Sequence, residues 1–164
     1  MKIEFTVFDE PKPQGSKKGF AYKDKKTGRI LATVSEDNEK LMPWRQAVIH
    51  TTREAMRQYL IENPAAVFPI DGPIAFGVIY RMPRPKSHHT PKGNVSSSWR
   101  HWHTVTPDMD KLDRALWDAL KIAGLIADDS NICKRIIGEK IYSDSRIGAQ
   151  IIVEKIETEG RDAD

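Results

Sequence analysis

Two short clusters of aspartates carry the strongest chemical signal in this chain of 164 residues. Asp108 and Asp110 stand one residue apart, and the pair Asp128-Asp129 follows further along the sequence. Carboxylate oxygens suit magnesium, which usually takes few protein carboxylates and completes its shell with waters and phosphate oxygens. Such an ion neutralises phosphate charge and activates water, so these residues suit phosphodiester hydrolysis. Asp108 and Asp110 can converge on one cation, and Asp128 or Asp129 is a candidate third ligand.

The same aspartates also admit a purely structural interpretation. Asp108 suits a helix N-cap, Asp110 is a first-turn acid that the helix dipole favours, and Asp128-Asp129-Ser130 suits a turn. A helix that begins near Asp110 rises about 1.5 Å per residue and carries the chain about 20 Å away. Asp129 can therefore join the pair only if the loop at 124–127 brings the chain back, which the sequence leaves open.

The helix that must position the first two aspartates is predicted at Met109–Ala123. Apolar residues recur along one of its faces at helical spacing: Leu112, Ala115, Leu116, Ala119, Leu120 and Ala123. Gly124 follows as a suitable C-terminal cap, because a glycine in the left-handed conformation commonly ends a helix.

The remaining elements are predicted from apolar periodicity and turn residues. They are a strand at 3–7, a hairpin that pairs 20–22 with 30–34 around a turn at 25–28, a helix from Pro43 to about Leu60, a strand at 74–80, and two strands at 132–141 and 147–153. Because strands and helices do not alternate regularly, an α+β fold is favoured over a doubly wound one.

The domain organisation follows from these elements. We predict a single domain over residues 1–156, with a mixed sheet and two main helices. The segment at about 83–107 loses periodicity and is predicted to be a mobile basic loop. Residues 157–164 are predicted to form a frayed acidic tail.

Composition and charge place the chain among globular proteins. It is 39% hydrophobic and 30% charged, with a net charge of +3, so it has enough apolar surface for a core. Basic residues gather at 12–29 and 81–100 and acidic residues at 108–129, a separation that suits a protein binding both phosphates and a cation. There is no run long enough to span a membrane and no export signal, and the one cysteine, Cys133, permits no internal disulfide. A cytoplasmic location without membrane contact is therefore expected.

The acidic clusters belong to a longer motif. It consists of Pro107-Asp108-x-Asp110, a basic residue at Arg114, Leu116-x-Asp118-Ala119-Leu120, Gly124 and Asp128-Asp129. This motif resembles the core of the RusA-type Holliday-junction resolvase family. The similarity covers about residues 105–140, with a weaker match at 11–18. Motif and spacing together are far more specific than an Asp-x-Asp pair alone.

The resemblance implies a RusA-like fold and an enzyme that resolves Holliday junctions and related branched DNA by metal-dependent hydrolysis, giving paired nicks. By this match the metal ligands are Asp108, Asp110 and Asp129, for Mg²⁺ with Mn²⁺ as a substitute. A homodimer is implied, since a two-fold symmetric four-way junction needs two matched nicks. The family's usual Asn after the second aspartate is Lys111 here. Members are common in prophages, so a phage-encoded protein is one expectation.

The family's catalytic-site lysine is replaced by Arg114. Arginine keeps the charge but cannot donate a proton as a lysine can, and its planar fork favours phosphate oxygens. We therefore expect an electrostatic catalytic role for Arg114.

The candidate DNA contacts are Lys17, Lys18, Lys111, Trp117 and Lys121. The lysines suit phosphate binding. On a helical wheel, at about 100° per residue, Trp117 and Lys121 share the face of Asp110 and Arg114, opposite the apolar face. Trp117 is therefore predicted to lie outside the helix's core stripe, either as a dimer or loop contact or as a wedge between bases at the branch point.

Other interpretations stay open. A nucleotide-sugar glycosyltransferase also holds a cation with Asp-x-Asp, but the sequence shows no nucleotide-binding sheet. In a non-catalytic branched-DNA-binding protein the carboxylates would be structural. Junction cleavage with and without magnesium separates these interpretations, and no small-molecule substrate is expected.

The histidines of the predicted loop raise the further possibility of a zinc site. They are His88, His89, His101 and His103. Their spacing matches no usual zinc pattern. A DNA contact through the same loop, with Trp99, Arg100 and Trp102, is favoured over zinc, and a disordered linker is an equal alternative.

Overall fold

The computed structural model describes residues 1–15, 17–23, 27, 29–36, 40–96 and 101–157. For the strand segments 17–23 and 30–36 it describes the backbone, so the side chains of Lys17 and Lys18 lie outside the described atoms. Most of the predicted hairpin turn, Trp99, Arg100 and the acidic tail beyond Glu157 also lie outside the described residues.

Within these residues the chain forms six strands and two helices. They are β1 (Lys2–Val7), β2 (Lys17–Lys23), β3 (Ile30–Glu36), α1 (Leu41–Glu62), β4 (Ile74–Pro83), α2 (Met109–Ala123), β5 (Ile132–Ser143) and β6 (Gly148–Lys155). The predicted hairpin is confirmed, because β2 and β3 pair antiparallel. Neither helix of the described chain is long and apolar enough to cross a membrane.

A mixed four-stranded sheet in the order β1-β6-β4-β5 organises the domain. β6 runs antiparallel to both β1 and β4, whereas β4 and β5 are parallel. β4 lies between two strands, and every residue from Ile74 to Val78 is buried. The α+β prediction is therefore confirmed.

Helix α2 matches the predicted bounds, Met109–Ala123. All six residues of its predicted apolar face are buried, and they share one core with α1 and the sheet. Gly124 ends the helix with a φ of 87°, in the left-handed region that favours glycine, and its N–H is bonded to the carbonyls of Leu120 and Lys121. The sequence pattern located this helix because its apolar stripe, first turn and cap all agree.

Part of the segment predicted to be a loop has regular structure. β4 continues to Pro83, and a 3-10 turn follows at Lys86–His88. The N–H of His103 donates to the carbonyl of Lys140 (2.9 Å), and the N–H of Tyr142 donates to the carbonyl of His101 (2.9 Å). This pairing holds the chain against the end of β5, just before it enters α2.

Two of the loop histidines pack against one tyrosine. The ring centroids of His88 and His103 lie 5.0 and 4.6 Å from that of Tyr142. Burial lowers the pKa of both imidazoles from the ordinary 6.5, with Arg84 adding to the effect at His88 and Lys140 at His103. Below pH 6.5 the unfolded chain therefore binds protons that the folded chain does not.

We predict that these histidines make the fold less stable as the pH falls below about 6.5, with no loss from them above it. His103→Gln should reduce the difference in thermal midpoint between about pH 7.5 and about pH 5.5. His50→Gln, at an exposed position of α1, is the matched control and should keep the wild-type difference. An unchanged difference in the His103 variant would contradict the assignment.

Candidate metal centre

Asp108 and Asp110 stand together at the start of α2, with their carboxylates open to solvent. Asp108 occupies the N-cap position in an extended conformation, but its side chain accepts no capping hydrogen bond. The side chains of Asp108 and Asp110 are 58% and 61% exposed. A capping role would have engaged the first carboxylate with backbone N–H groups. Both carboxylates are instead available to a cation.

Two cations accompany these carboxylates within the first turns of α2. Lys111 Nζ lies 3.2 Å from Asp108 Oδ2, and an Arg114 guanidinium nitrogen lies 3.6 Å from Asp110 Oδ2. Both pairs are solvent-exposed, and such pairs contribute at most about 1 kcal/mol. A divalent ion could therefore take over the two carboxylates, and a phosphate could take over the lysine and the arginine, at little cost in free energy.

Asp128 and Asp129 lie beside the other end of α2. Lys121 Nζ donates to Asp128 Oδ2 at 2.6 Å and lies 3.7 Å from Asp129 Oδ1. The bonds from Lys121 and Ser130 hold the pKa of Asp128 well below its ordinary value. Asp128 is thus engaged in the turn, whereas Asp129 has only the longer contact with Lys121 among the described residues.

The two acidic clusters do not meet within the described chain. Asp108 lines the same cavity as Met82, near the end of β4, whereas Asp129 precedes Ile132, which pairs with Ile74 at the start of β4. Strand residues rise about 3.3 Å each, so the separation is on the order of 20 Å. Among the described residues no three His, Cys, Asp or Glu side chains gather where a metal could be held.

The pair at the start of α2 still fits magnesium by its donor chemistry. This ion is usually bound by one or two carboxylates together with waters and substrate phosphates. Asp108 and Asp110 supply two hard oxygen ligands that are open to solvent. The positive end of the α2 dipole additionally favours a phosphate near these residues.

Lys140 is a residue of this region that sequence reasoning missed. Its Nζ donates to the carbonyl oxygens of Val105 (2.7 Å) and Pro107 (2.6 Å), directly before Asp108. Burial lowers the pKa of Lys140, and the charge of Asp108 opposes that effect. Lys140 thereby positions the backbone that carries Asp108. Its place in β5 gave no sequence signal, because the contact depends on how the preceding loop docks.

A buried polar cluster joins the middle of α2 to the sheet. The hydroxyl of Tyr80 donates to Asp113 Oδ1 at 2.9 Å, and Arg135 donates to the other oxygen of the same carboxylate. Asp113 is 4% exposed. Burial of Tyr80 raises the pKa of its hydroxyl, and the neighbouring Asp113 carboxylate adds to this effect. Sequence reasoning missed Asp113 because an aspartate within an amphipathic helix ordinarily faces solvent.

Trp117 corrects the helical-wheel prediction. Its ring packs edge-on against Phe76, with centroids 5.8 Å apart and an interplanar angle of 86°, and belongs to the periphery of the core. The prediction that it lies outside the core was wrong because strands β4 and β5 cover more of α2 than its apolar stripe. Insertion between DNA bases stays a prediction and would require the ring to leave Phe76.

The chain before β2 runs alongside α2. The N–H of Gln14 donates to the carbonyl of Lys111 (3.0 Å), and its side-chain amide donates to Asp118 Oδ2 (3.2 Å). Arg45 of α1 also lies 3.7 Å from that oxygen of Asp118. Asp118 therefore fastens the N-terminal segment and α1 to α2.

The histidines do not form a metal centre in the described chain. His88 and His103 pack on Tyr142, and His89 Nε2 lies 3.3 Å from Asp144 Oδ1. Trp102, next to His101, is 51% exposed and available for contacts.

Comparison with known proteins gives one family. The sequence matches the family described as "Endodeoxyribonuclease RusA" over residues 27–154, which is most of the chain. No curated protein matches the chain.

We predict that Lys140→Met loosens the segment before α2. Loss of two charge-assisted hydrogen bonds should lower the free energy of unfolding by about 2 kcal/mol. The backbone amides at 105–110 should also exchange faster with solvent. Lys134→Met, at an exposed position of the same strand, is the matched control and should change neither quantity. Equal exchange rates in the two variants would refute the positioning role.

Proposed function

This chain belongs to the RusA endodeoxyribonuclease family, and from that premise we propose that it is a magnesium-dependent enzyme that resolves Holliday junctions by paired nicks. The family implies a Holliday-junction endonuclease. The observation that carries the metal-dependent part is the exposed carboxylate pair at the start of α2, with a lysine and an arginine beside it.

Asp108 and Asp110 would hold the Mg²⁺, with Mn²⁺ able to substitute. When bound, the ion supplies neutralisation of phosphate charge and activation of water. The helix N-terminus favours the approach of the phosphate.

Arg114 and Lys111 would act on the phosphate. Arg114 is 66% exposed and can bind two phosphate oxygens with its planar fork, which stabilises the charge that develops as the bond to phosphorus breaks. It does not take the place of a lysine as the donor of the proton that the leaving oxygen needs. Water is left as the proton donor. Lys111 provides a second positive charge on the same face.

Asp129 would complete the centre from a second copy of the chain. Ligands of magnesium lie about 2 Å from the ion, so a carboxylate on the order of 20 Å away cannot join Asp108 in the same protomer. A homodimer in which each protomer lends Asp129 to the other would satisfy both the ligand set and the two-fold symmetry of a four-way junction.

The remaining candidate contacts would act on the DNA backbone. Lys121 is 44% exposed and pairs with Asp128 and Asp129, so it can bind phosphate beside the lent carboxylate. Lys17 and Lys18 belong to β2, and we propose that they bind phosphates. Trp117 remains a proposed wedge at the branch point, and its ring would first have to leave its contact with Phe76.

Two other functions are less well supported. A nucleotide-sugar glycosyltransferase is disfavoured because the family match names a nuclease. A branched-DNA-binding protein without catalysis would leave the open carboxylates without a role. Incubation of four-way junctions with and without magnesium separates both from the proposal.

We predict that Asp108→Asn and Asp110→Asn each abolish junction cleavage in magnesium. Junction affinity should stay equal or rise slightly, because a negative charge near phosphate is removed. Asp71→Asn, at an exposed aspartate that bonds only its neighbour's N–H among described partners, is the matched control and should cut normally. Near-wild-type nicking by either of the first two variants would exclude them from the centre.

A further inference from the structure

A cavity of about 360 Å³ opens directly beside Asp108. Its walls are the segments 10–13 and 106–108, and Met82, which is 3% exposed, lines it from the sheet. Three prolines contribute apolar surface: Pro11, Pro13 and Pro107. The volume lies at the lower end of the roughly 300–1,000 Å³ of small-molecule sites. One nucleotide unit can enter such a space, whereas a stacked duplex cannot.

Both walls are fixed by hydrogen bonds that are already formed. The bond from the Gln14 N–H to the Lys111 carbonyl, 3.0 Å, holds the N-terminal segment against α2. The bonds from Lys140 Nζ hold the opposite segment through Val105 and Pro107. A preformed cavity loses little conformational entropy when it binds a ligand.

The lining of the cavity combines apolar surface with two lysines and two acidic residues, so it offers contacts to a base and to a phosphate. Lys12 and Lys111 both line it, and their ammonium groups are paired with exposed carboxylates of Glu10 (2.6 Å) and Asp108 (3.2 Å). An incoming phosphate can replace such screened partners. A larger cavity between β1 and α1, of about 600 Å³, is lined by three glutamates and one lysine, so negative charge predominates there.

We propose that this cavity is a subsite for one unstacked nucleotide of the cleaved strand, adjoining the phosphate that a magnesium ion at Asp108 would bind. The base would lie against the prolines and Met82, and the flanking phosphate would contact Lys12 and Lys111. Unstacking a base from a continuous duplex costs a few kcal/mol, and it costs less at a branch point, where the stack is already interrupted. The subsite therefore selects branched over continuous duplex DNA, and in that respect it rests on the proposed function.

The test fills the cavity from its rim. Thr106 is an exposed lining residue, so Thr106→Trp adds bulk there, and Thr104→Trp adds the same side chain at an exposed position that does not line the cavity. Junctions carrying 2-aminopurine at successive positions around the crossover are titrated with each protein in EDTA. Wild type and Thr104→Trp should brighten one position as its base unstacks, and Thr106→Trp should not.

Cleavage in magnesium gives a second measurement. Thr106→Trp should raise KM for junctions by about tenfold, the order expected when one base contact is lost, and leave kcat within about twofold. An abasic residue at the brightened position should remove the difference between the two tryptophan variants. A structural defect would instead lower kcat on every substrate.

The outcomes separate the subsite from the nuclease itself. Fluorescence and KM that are the same in both tryptophan variants overturn the subsite. Brightening in EDTA without cleavage in magnesium overturns the proposed function and leaves the subsite standing. If Thr106→Trp does not fold, Lys12→Gln takes its place: it should weaken junction binding and flatten its dependence on salt. Unchanged binding by Lys12→Gln overturns the subsite.

Discussion

The docking of α2 on the sheet is the constraint on which the rest of the structure depends. The buried carboxylate of Asp113 receives bonds from Tyr80 and Arg135, and an unpaired charge at that depth would be strongly destabilising. The helix can therefore occupy only one register along β4. That register places Asp108 and Asp110 at one end of the sheet and the turn at Asp129 at the other.

The separation of the two acidic clusters decides how chemistry can be organised. At the start of α2, two open carboxylates, Lys111 and Arg114 lie beside a preformed cavity. We propose that these residues hold a cation, bind a phosphate and accommodate its neighbouring nucleotide. In the proposed function, Asp129 would reach them from a second copy of the chain, so that dimerisation and catalysis would become one requirement. A four-way junction, with two equivalent scissile positions, matches that requirement.

Sequence periodicity predicted the features of the fold that local interactions determine. Helix α2, its Gly124 cap and the strands follow from spacing and turn residues, and Asp108 and Asp110 follow from the motif. Contacts made by distant segments were missed. Lys140 binds a segment more than thirty residues away in the sequence. Trp117 packs against strands of the sheet, and a helical wheel gives no information on where those strands lie. The family motif predicted Asp129 as a metal ligand, but it gave no indication that Asp129 lies far from Asp108 and Asp110 within one chain.

Mixed dimers test the central claim most directly. Asp108→Asn and Asp129→Asn protomers are co-expressed with different affinity tags, and dimers carrying both tags are purified. In a dimer whose protomers exchange Asp129, one of the two centres then keeps all three aspartates. The mixed dimer should therefore make single nicks in junctions with magnesium, although each mutant homodimer makes none. Mixed dimers as inactive as the two homodimers would contradict the shared centre.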